Sequence, residues 1–145
     1  MKQIIFLSVV TISIFLCSFT GNAQDKSFED PANKNIIEVF DFHTTNRCVT
    51  CKSIESNTKY TLDTYFADEV KSGKITFSVV NIDEKENEKL AEKFEASGTS
   101  LFLNVIKNGK EKQINLTEFA FMNGKKQETF SKELKTKIEK ELKTL

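Results

Sequence analysis

The chain has 145 residues, of which 39% are hydrophobic and 29% are charged, a composition typical of one soluble globular domain. Its 21 basic and 21 acidic residues give a formal net charge of zero, so nothing indicates nucleic acid or an anionic membrane surface as a partner. These values exclude a strongly basic or acidic binding protein, and they do not require a second domain.

The first 23 residues have the layout of a secretory signal peptide. Lys2 supplies the charge, residues 4–16 form an apolar stretch too short to span a bilayer, and Gly21-Asn22-Ala23 is a small-residue cleavage site. We therefore expect export, to the periplasm or a similar compartment, with cleavage after Ala23. A lipoprotein acylated at Cys17 is the less favoured alternative, because bacterial lipoprotein signals have a small residue before the cysteine and here it is Leu16.

Residues 24–35 are polar and contain the only proline, Pro31, so they are predicted to form a lead-in to a domain that spans residues 36–145. After cleavage, Cys48 and Cys51 are the only cysteines left. In an oxidising compartment such a pair becomes a disulfide unless something keeps it reduced.

The segment from Ile36 to Phe42 is apolar at nearly every position, which predicts a strand of a parallel sheet covered on both faces. A helix is predicted from about Cys48 to Phe66, capped by Thr45 or Asn46. At the start of this helix, unpaired N–H groups and the helix dipole favour the Cys48 thiolate, and Arg47 adds a positive charge. Cys51 lies one turn on and can close a disulfide with Cys48.

The remaining pattern predicts alternating strands and helices. Asp83 with Glu86 is interpreted as a capping arrangement for a charged helix that stops at Ser97-Gly98, and Asn108-Gly109 predicts a tight hairpin. The segment 116–124 is too apolar for a free loop and is expected to pack under the sheet edge. The other predicted elements are strands at 75–82, 101–106 and 112–116 and a final helix at about 128–142.

This order of elements around Cys48-Val49-Thr50-Cys51 resembles the thioredoxin superfamily. Further similar segments are Asn81-Ile82-Asp83, Lys93-Phe94 ahead of Gly98, and Lys107-Asn108-Gly109-Lys110. The resemblance covers residues 36–145, and it implies a three-layer α/β fold with a mixed central sheet of about four to five strands flanked by helices.

The resemblance also implies roles for individual residues. Cys48 would be the solvent-facing thiol that attacks, and Cys51 the buried thiol that resolves the mixed disulfide. Asp41, near the end of the preceding strand, would take and return a proton for Cys51. No bound cofactor is implied, and the partners would be client proteins with disulfides or thiols.

The chain departs from the family at three places. Ser100, after Thr99, stands where the family has a cis-proline, so we expect either a strained peptide or a trans variant of this loop. Arg47 replaces the usual Trp and exchanges a flat apolar docking surface for a charge. Val49-Thr50 replaces Gly-Pro, and the Thr50 hydroxyl could point at the Cys48 sulfur.

Other interpretations of the same residues stay open. The cysteines could form a structural clip in a thioredoxin-fold binding or chaperone module, although so short a loop closes little chain entropy. A metal site is not expected, because no second cysteine pair accompanies the sole histidine, His43. His43 either finishes a strand or influences the ionisation of the thiols. Asp41 could simply bond a neighbouring backbone amide.

The favoured hypothesis is an exported, monomeric thiol-disulfide oxidoreductase that cycles between the Cys48–Cys51 disulfide and the dithiol. We expect a reductant or electron carrier rather than an oxidant, because the family's ordinary pairs are reductants. In an oxidising compartment a reductant needs electrons, which a membrane thiol donor would deliver.

Overall fold

The computed structural model describes residues 35–145, so the predicted signal peptide, Cys17 and nearly all of the lead-in lie outside the described residues. Four strands form one mixed sheet in the order β2-β1-β3-β4. β1 is parallel to β2 and antiparallel to β3, and β3 is antiparallel to β4. The strands are β1 Ile36–His43, β2 Ile75–Asn81, β3 Ser100–Lys107 and β4 Lys110–Asn115.

Helices cover both faces of this sheet, which confirms the predicted α/β thioredoxin-like fold class and places the number of described strands at four. A 3₁₀ turn, Lys85–Asn87, precedes the third helix. The helices are α1 Val49–Tyr65, α2 Ala67–Lys71, α3 Glu88–Lys93, α4 Thr117–Asn123 and α5 Gln127–Leu142. No helix in residues 35–145 has both the length and the apolar character needed to cross a membrane.

The alternation of side chains along β1 explains the three layers, since successive residues point to opposite faces. Ile37 and Val39 enter the larger core beneath α1, α4 and α5, where Ile54 and Leu134 are also fully buried. On the other face five residues, four of them aromatic, form a smaller core beside α3. Its members are Phe40, Phe42, Val80, Phe94 and Phe102.

Several sequence predictions about local structure were wrong in detail. Neither Thr45 nor Asn46 caps α1, because Cys48 is its N-cap residue. Asp83 does not cap a helix, since the 3₁₀ turn begins after Glu84 without a side-chain cap. The segment 116–124 is not a free loop, as predicted: residues 117–123 form the helix α4, whose Ala120 is buried in the larger core while Phe121 and Met122 are exposed.

The sheet brings several loops to one end of the molecule. β1 is central, and its last residues pair with the end of β2 through His43–Asn81 and with the start of β3 through Phe42–Ser100. β4 ends at the same place, where the Leu116 amide donates to the Leu101 carbonyl at 2.7 Å. The CxxC segment, which follows β1, therefore lies at the sheet end where the 99–100 loop and α4 begin.

Candidate active site

The two cysteines lie at the start of α1, after the loop that follows β1. Cys48 has extended backbone angles, φ −74° and ψ 166°, and its sulfur accepts a hydrogen bond from the Cys51 amide at 3.2 Å. A disulfide joins the two residues, whose Cα atoms are 5.2 Å apart. Because the Cys48 sulfur occupies the capping position, the free amides and the positive end of the helix dipole act on it directly.

The two cysteines differ in their access to solvent. Cys48 is exposed, and the neighbouring Val49 side chain is 78% exposed, whereas Cys51 is 7% exposed. An incoming thiol or disulfide can therefore reach the sulfur of Cys48 but not that of Cys51.

The loop between β1 and Cys48 is tied to the end of β2. The Thr45 amide donates to the Asp83 carboxylate at 2.7 Å, and the Asn81 side chain donates to the Thr45 hydroxyl at 3.2 Å. Hydrogen bonding from the Thr45 backbone amide, and next from the Thr45 side chain, lowers the pKa of Asp83 below its ordinary value. Sequence reasoning assigned Asp83 to a helix cap and missed this contact, which joins residues 38 positions apart and leaves no local pattern.

Asp41 lies on β1 with its side chain fully buried. Its Oδ2 lies 3.4 Å from an Arg47 guanidinium nitrogen, while its Oδ1 has no hydrogen-bond partner. Burial raises the pKa of Asp41 from 3.8 to about 7, against the lowering effect of Arg47, and the charge of Glu55 adds to the rise. A carboxyl group in this state can take up and release a proton near neutral pH. The alternative role for Asp41, a hydrogen bond from a neighbouring backbone amide to its carboxyl group, is not found in the structure.

The sequence suggested that Arg47 presents its charge to solvent. In the structure its side chain is only 16% exposed. One guanidinium nitrogen bonds Glu55, and the other lies 3.4 Å from both Asp41 and the Cys51 carbonyl. Sequence reasoning missed Glu55, which is partly buried on the second turn of α1, within reach of a long cationic side chain.

His43 and the 99–100 loop lie at the same end of the sheet. The His43 Nδ1 is 2.9 Å from the Thr44 carbonyl, and its charge contributes to the lowered pKa of Asp83. All peptide bonds in residues 35–145 are trans, so the loop at Thr99 and Ser100 is the trans variant. The Ser100 hydroxyl donates to the Gly98 carbonyl at 3.3 Å.

Thr50 and Val49 face the turn between α4 and α5. The bond to the Cys48 sulfur comes from the Cys51 amide, and the Thr50 methyl lies 3.3 Å from where a Cβ on Gly124 would stand. The Asn57 side chain donates to the buried Gly124 carbonyl at 2.9 Å. Gly124 was not singled out from the sequence. Beside it runs a cleft of about 320 Å³, lined by Val49, Lys52, Ser53, Ser56, Asn57, Gly124, Lys125 and Gln127.

Within residues 35–145, no group of three or more His, Cys, Asp or Glu side chains is arranged to hold a metal ion. The groups that the site offers for chemistry are a sulfur pair, a buried carboxyl group and the Arg47 guanidinium.

No protein-family model matches the chain, and no curated protein matches it. Among solved structures, thioredoxin from Fasciola hepatica is 25% identical over 63% of this chain and 79% of its own, with a TM-score of 0.40. Mitochondrial thioredoxin 3 from Saccharomyces cerevisiae, in its oxidised form, is 21% identical over 64% and 79%, with a TM-score of 0.41. The structure of a malarial protein is 20% identical over 61% and 96%, with a TM-score of 0.39.

At these TM-scores the fold class rests on the strand order and connections of the chain itself. The chain is an α/β protein of thioredoxin-like architecture. It carries a disulfide between the two cysteines of a CxxC segment, and that segment starts the helix that follows the central strand.

Proposed function

We propose that this protein is a thiol-disulfide oxidoreductase that works through Cys48 and Cys51. The observation that carries the proposal is the asymmetry of the pair, because an exposed sulfur caps α1 and is bonded to a buried one. A structural clip gains nothing from such an arrangement, whereas disulfide exchange needs one sulfur that clients can reach and a second that only the first can reach.

In the reducing direction the exchange has two steps. The Cys48 thiolate attacks a client disulfide, so that a mixed disulfide forms and one client thiolate leaves. Cys51 then loses its proton and attacks the Cys48 sulfur, which forms the Cys48–Cys51 disulfide and releases the second client thiolate. The client gains two electrons, and the protein loses two.

Asp41 is the proposed acceptor of the Cys51 proton. Its side chain is fully buried, its pKa is raised to about 7 by burial, and the guanidinium that pairs with it also reaches the Cys51 carbonyl. A group with a pKa near the working pH can accept the proton and return it in the next cycle.

Export, the partners and the direction of electron flow are further parts of the proposal. The layout of residues 1–23 supports secretion with cleavage after Ala23 rather than acylation at Cys17, and the protein would act as a monomer on client disulfides. A reductant in that compartment would receive its electrons from a membrane thiol donor. The short connection 82–84 between β2 and the 3₁₀ turn favours this direction, because the related oxidases carry a helical insertion there.

Trapping of mixed disulfides tests the exchange. The Cys51→Ser variant keeps the attacking thiol and lacks the resolving one, so it should accumulate mixed disulfides with clients in cells, and wild-type protein should reduce insulin in the presence of dithiothreitol. Cys48→Ser is the matched control and should trap nothing. If Cys51→Ser traps no more than Cys48→Ser and insulin stays intact, the chain is a binding module with a structural disulfide. The reduction potential of the couple, measured against glutathione, then gives the direction.

A further inference from the structure

One guanidinium joins three parts of the candidate site. Arg47 precedes the CxxC segment, Asp41 belongs to the central strand, and Glu55 lies on α1 just after Cys51. The Arg47 side chain lies between the two carboxylates and also donates to the Cys51 carbonyl at 3.4 Å. Strand, loop and helix are therefore held at one point beneath the disulfide.

The group of charges is unbalanced, because one cation faces two carboxylates. Two polar atoms of this group, Asp41 Oδ1 and Arg47 Nε, are buried and have no hydrogen-bond partner among residues 35–145. Unpartnered buried polar atoms are rare and costly, and this group of charges contains two of them. A proton on Asp41 relieves this cluster of one negative charge, and its loss restores the full pairing with Arg47.

The charges that act on Asp41 are few. Arg47 lowers its pKa and Glu55 raises it, while burial supplies the largest effect. The neighbouring strands place Val79 and Leu101 opposite Asp41, and neither titrates. On β1 itself, His43 lies two residues along the same face, but its Nδ1 points to the Thr44 carbonyl. Arg47 and Glu55 are thus the two groups through which the protein can adjust this carboxyl group.

We propose that Arg47 is a positioning residue for the disulfide exchange: by sharing its guanidinium between Asp41 and Glu55, it sets the pH at which Asp41 exchanges its proton and anchors the Cys51 turn. This inference rests on the proposed function, because the proton in question is the one that Cys51 gives up. It assigns to Arg47 and Glu55 opposite effects on the same reaction.

Two variants with opposite expected shifts test the inference. Arg47→Met removes the cation, so the midpoint of Asp41 should rise by roughly half a pH unit or more, because an opposite charge favours the ionised carboxylate. Glu55→Gln removes the second carboxylate, so the midpoint should fall. Carbon NMR of the labelled aspartate carboxyl groups in the oxidised protein measures both midpoints, and Asp41→Asn identifies the signal.

The same variants are then compared in the reaction. The pH profile of insulin reduction should move up with Arg47→Met and down with Glu55→Gln, by about the same amounts as the NMR midpoints. Arg47→Lys keeps the charge without the forked donors and should restore most of the wild-type profile. The matched control is Lys59→Met, which removes a cation from an exposed ion pair with Asp63 on the same helix and should move neither midpoint nor profile.

The possible failures are distinguishable. Asp41 midpoints that stay unchanged in both variants, or move in the same direction, overturn the inference, and so do midpoints that move while the rate profile does not. In these cases wild-type insulin reduction still supports the oxidoreductase proposal. A wild-type protein that does not reduce insulin overturns that proposal instead. If Arg47→Met fails to fold, the direction of the Asp41 midpoint shift in Glu55→Gln still tests the inference.

Discussion

At the scale of single residues, the most consequential feature is a carboxylic acid kept in the interior. Asp41 has a pKa of about 7 in the folded protein against an ordinary value of 3.8, because burial disfavours its charged form. The folded state holds this proton more tightly than the unfolded state. The contribution of the neutral carboxyl group to stability is therefore complete below about pH 3.8, and it is lost as the pH rises to about 7.

Asp41→Asn should consequently stabilise the protein in alkaline solution. The interval between 3.8 and about 7 corresponds to about 4 kcal/mol as an upper bound. Since the new amide is itself buried without a full set of partners, we expect a gain of roughly 2 kcal/mol at pH 8.5 and less than about 1 kcal/mol at pH 4.5. Urea unfolding of both proteins at the two pH values measures the difference.

The exposed Asp63→Asn variant is the control for this comparison, because the Asp63 carboxylate forms a surface ion pair with Lys59. It should change stability by the same small amount at both pH values. An Asp41→Asn protein that is less stable than wild type at pH 8.5 would contradict the assignment of a raised pKa to Asp41.

Residue-scale features were predictable from the sequence where the signal is local. Cys48 and Cys51 stand three positions apart after an apolar strand, and that spacing was enough to place them at a helix start. The position of Arg47 was visible, but its orientation was not. A long flexible side chain can point outward or inward, and the choice here depends on Asp41 and Glu55, which become neighbours only when the loop and α1 are in place.

At the scale of elements, α1 packs tightly against the turn after α4 at Gly124. Gly124 has helical backbone angles, so no positive φ requires glycine there. The requirement is space: an added Cβ would lie 2.8 Å from the Ala120 carbonyl and 3.1 Å from an Ile54 side-chain carbon. The backbone carbonyl cannot move without shifting α4.

Gly124→Ala should therefore destabilise the protein by about 1–3 kcal/mol, the usual cost of inserting a methyl group into a filled space. Because the same Cβ would press on Thr50, the variant should also change the reactivity of Cys48. Gly98→Ala is the matched control, since nothing lies within 4 Å of its added Cβ, and its stability should stay within about 0.5 kcal/mol of wild type. Thermal unfolding of both variants compares them, and equal stabilities would contradict the packing argument.

Elements with a regular hydrophobic pattern or a clear turn signal were predicted from the sequence, whereas the short helices α2 and α4 were not. The hairpin at Asn108 and Gly109 followed from its turn residues, and both have positive φ, 49° and 73°. α4 has seven residues, which is too short for a periodic pattern, and its apolar residues point in several directions. The predicted end of α1 at about Phe66 is confirmed, but the five-residue helix α2 that follows this single residue was not predicted.

At the scale of the whole molecule, the sheet positions the candidate site. β1 is packed on both faces, by the larger core on one side and the aromatic cluster on the other, and these contacts hold the start of α1 in place. The fold class could be predicted because β1, β2 and β3 are rich in apolar residues and Asn108-Gly109 indicates the hairpin that leads to the polar strand β4. The contacts among the loops at the sheet end could not be predicted, since they join residues far apart in the chain.

Reduction of the disulfide should therefore leave the fold intact. The bond closes a loop across a sequence separation of only three, for which the chain-entropy model gives about 2 kcal/mol. The start of α1 offsets part of this loss, because it stabilises the thiolate that reduction creates at Cys48. Urea unfolding with and without a phosphine reductant should show one cooperative transition in both states, shifted by about 2 kcal/mol or less.

The control is a Cys48→Ser, Cys51→Ser double variant, whose stability should not change with the reductant and should resemble that of the reduced protein. A carrier of electrons must survive in both redox states, so loss of cooperative unfolding on reduction would identify the bond as a structural clip and contradict a redox cycle.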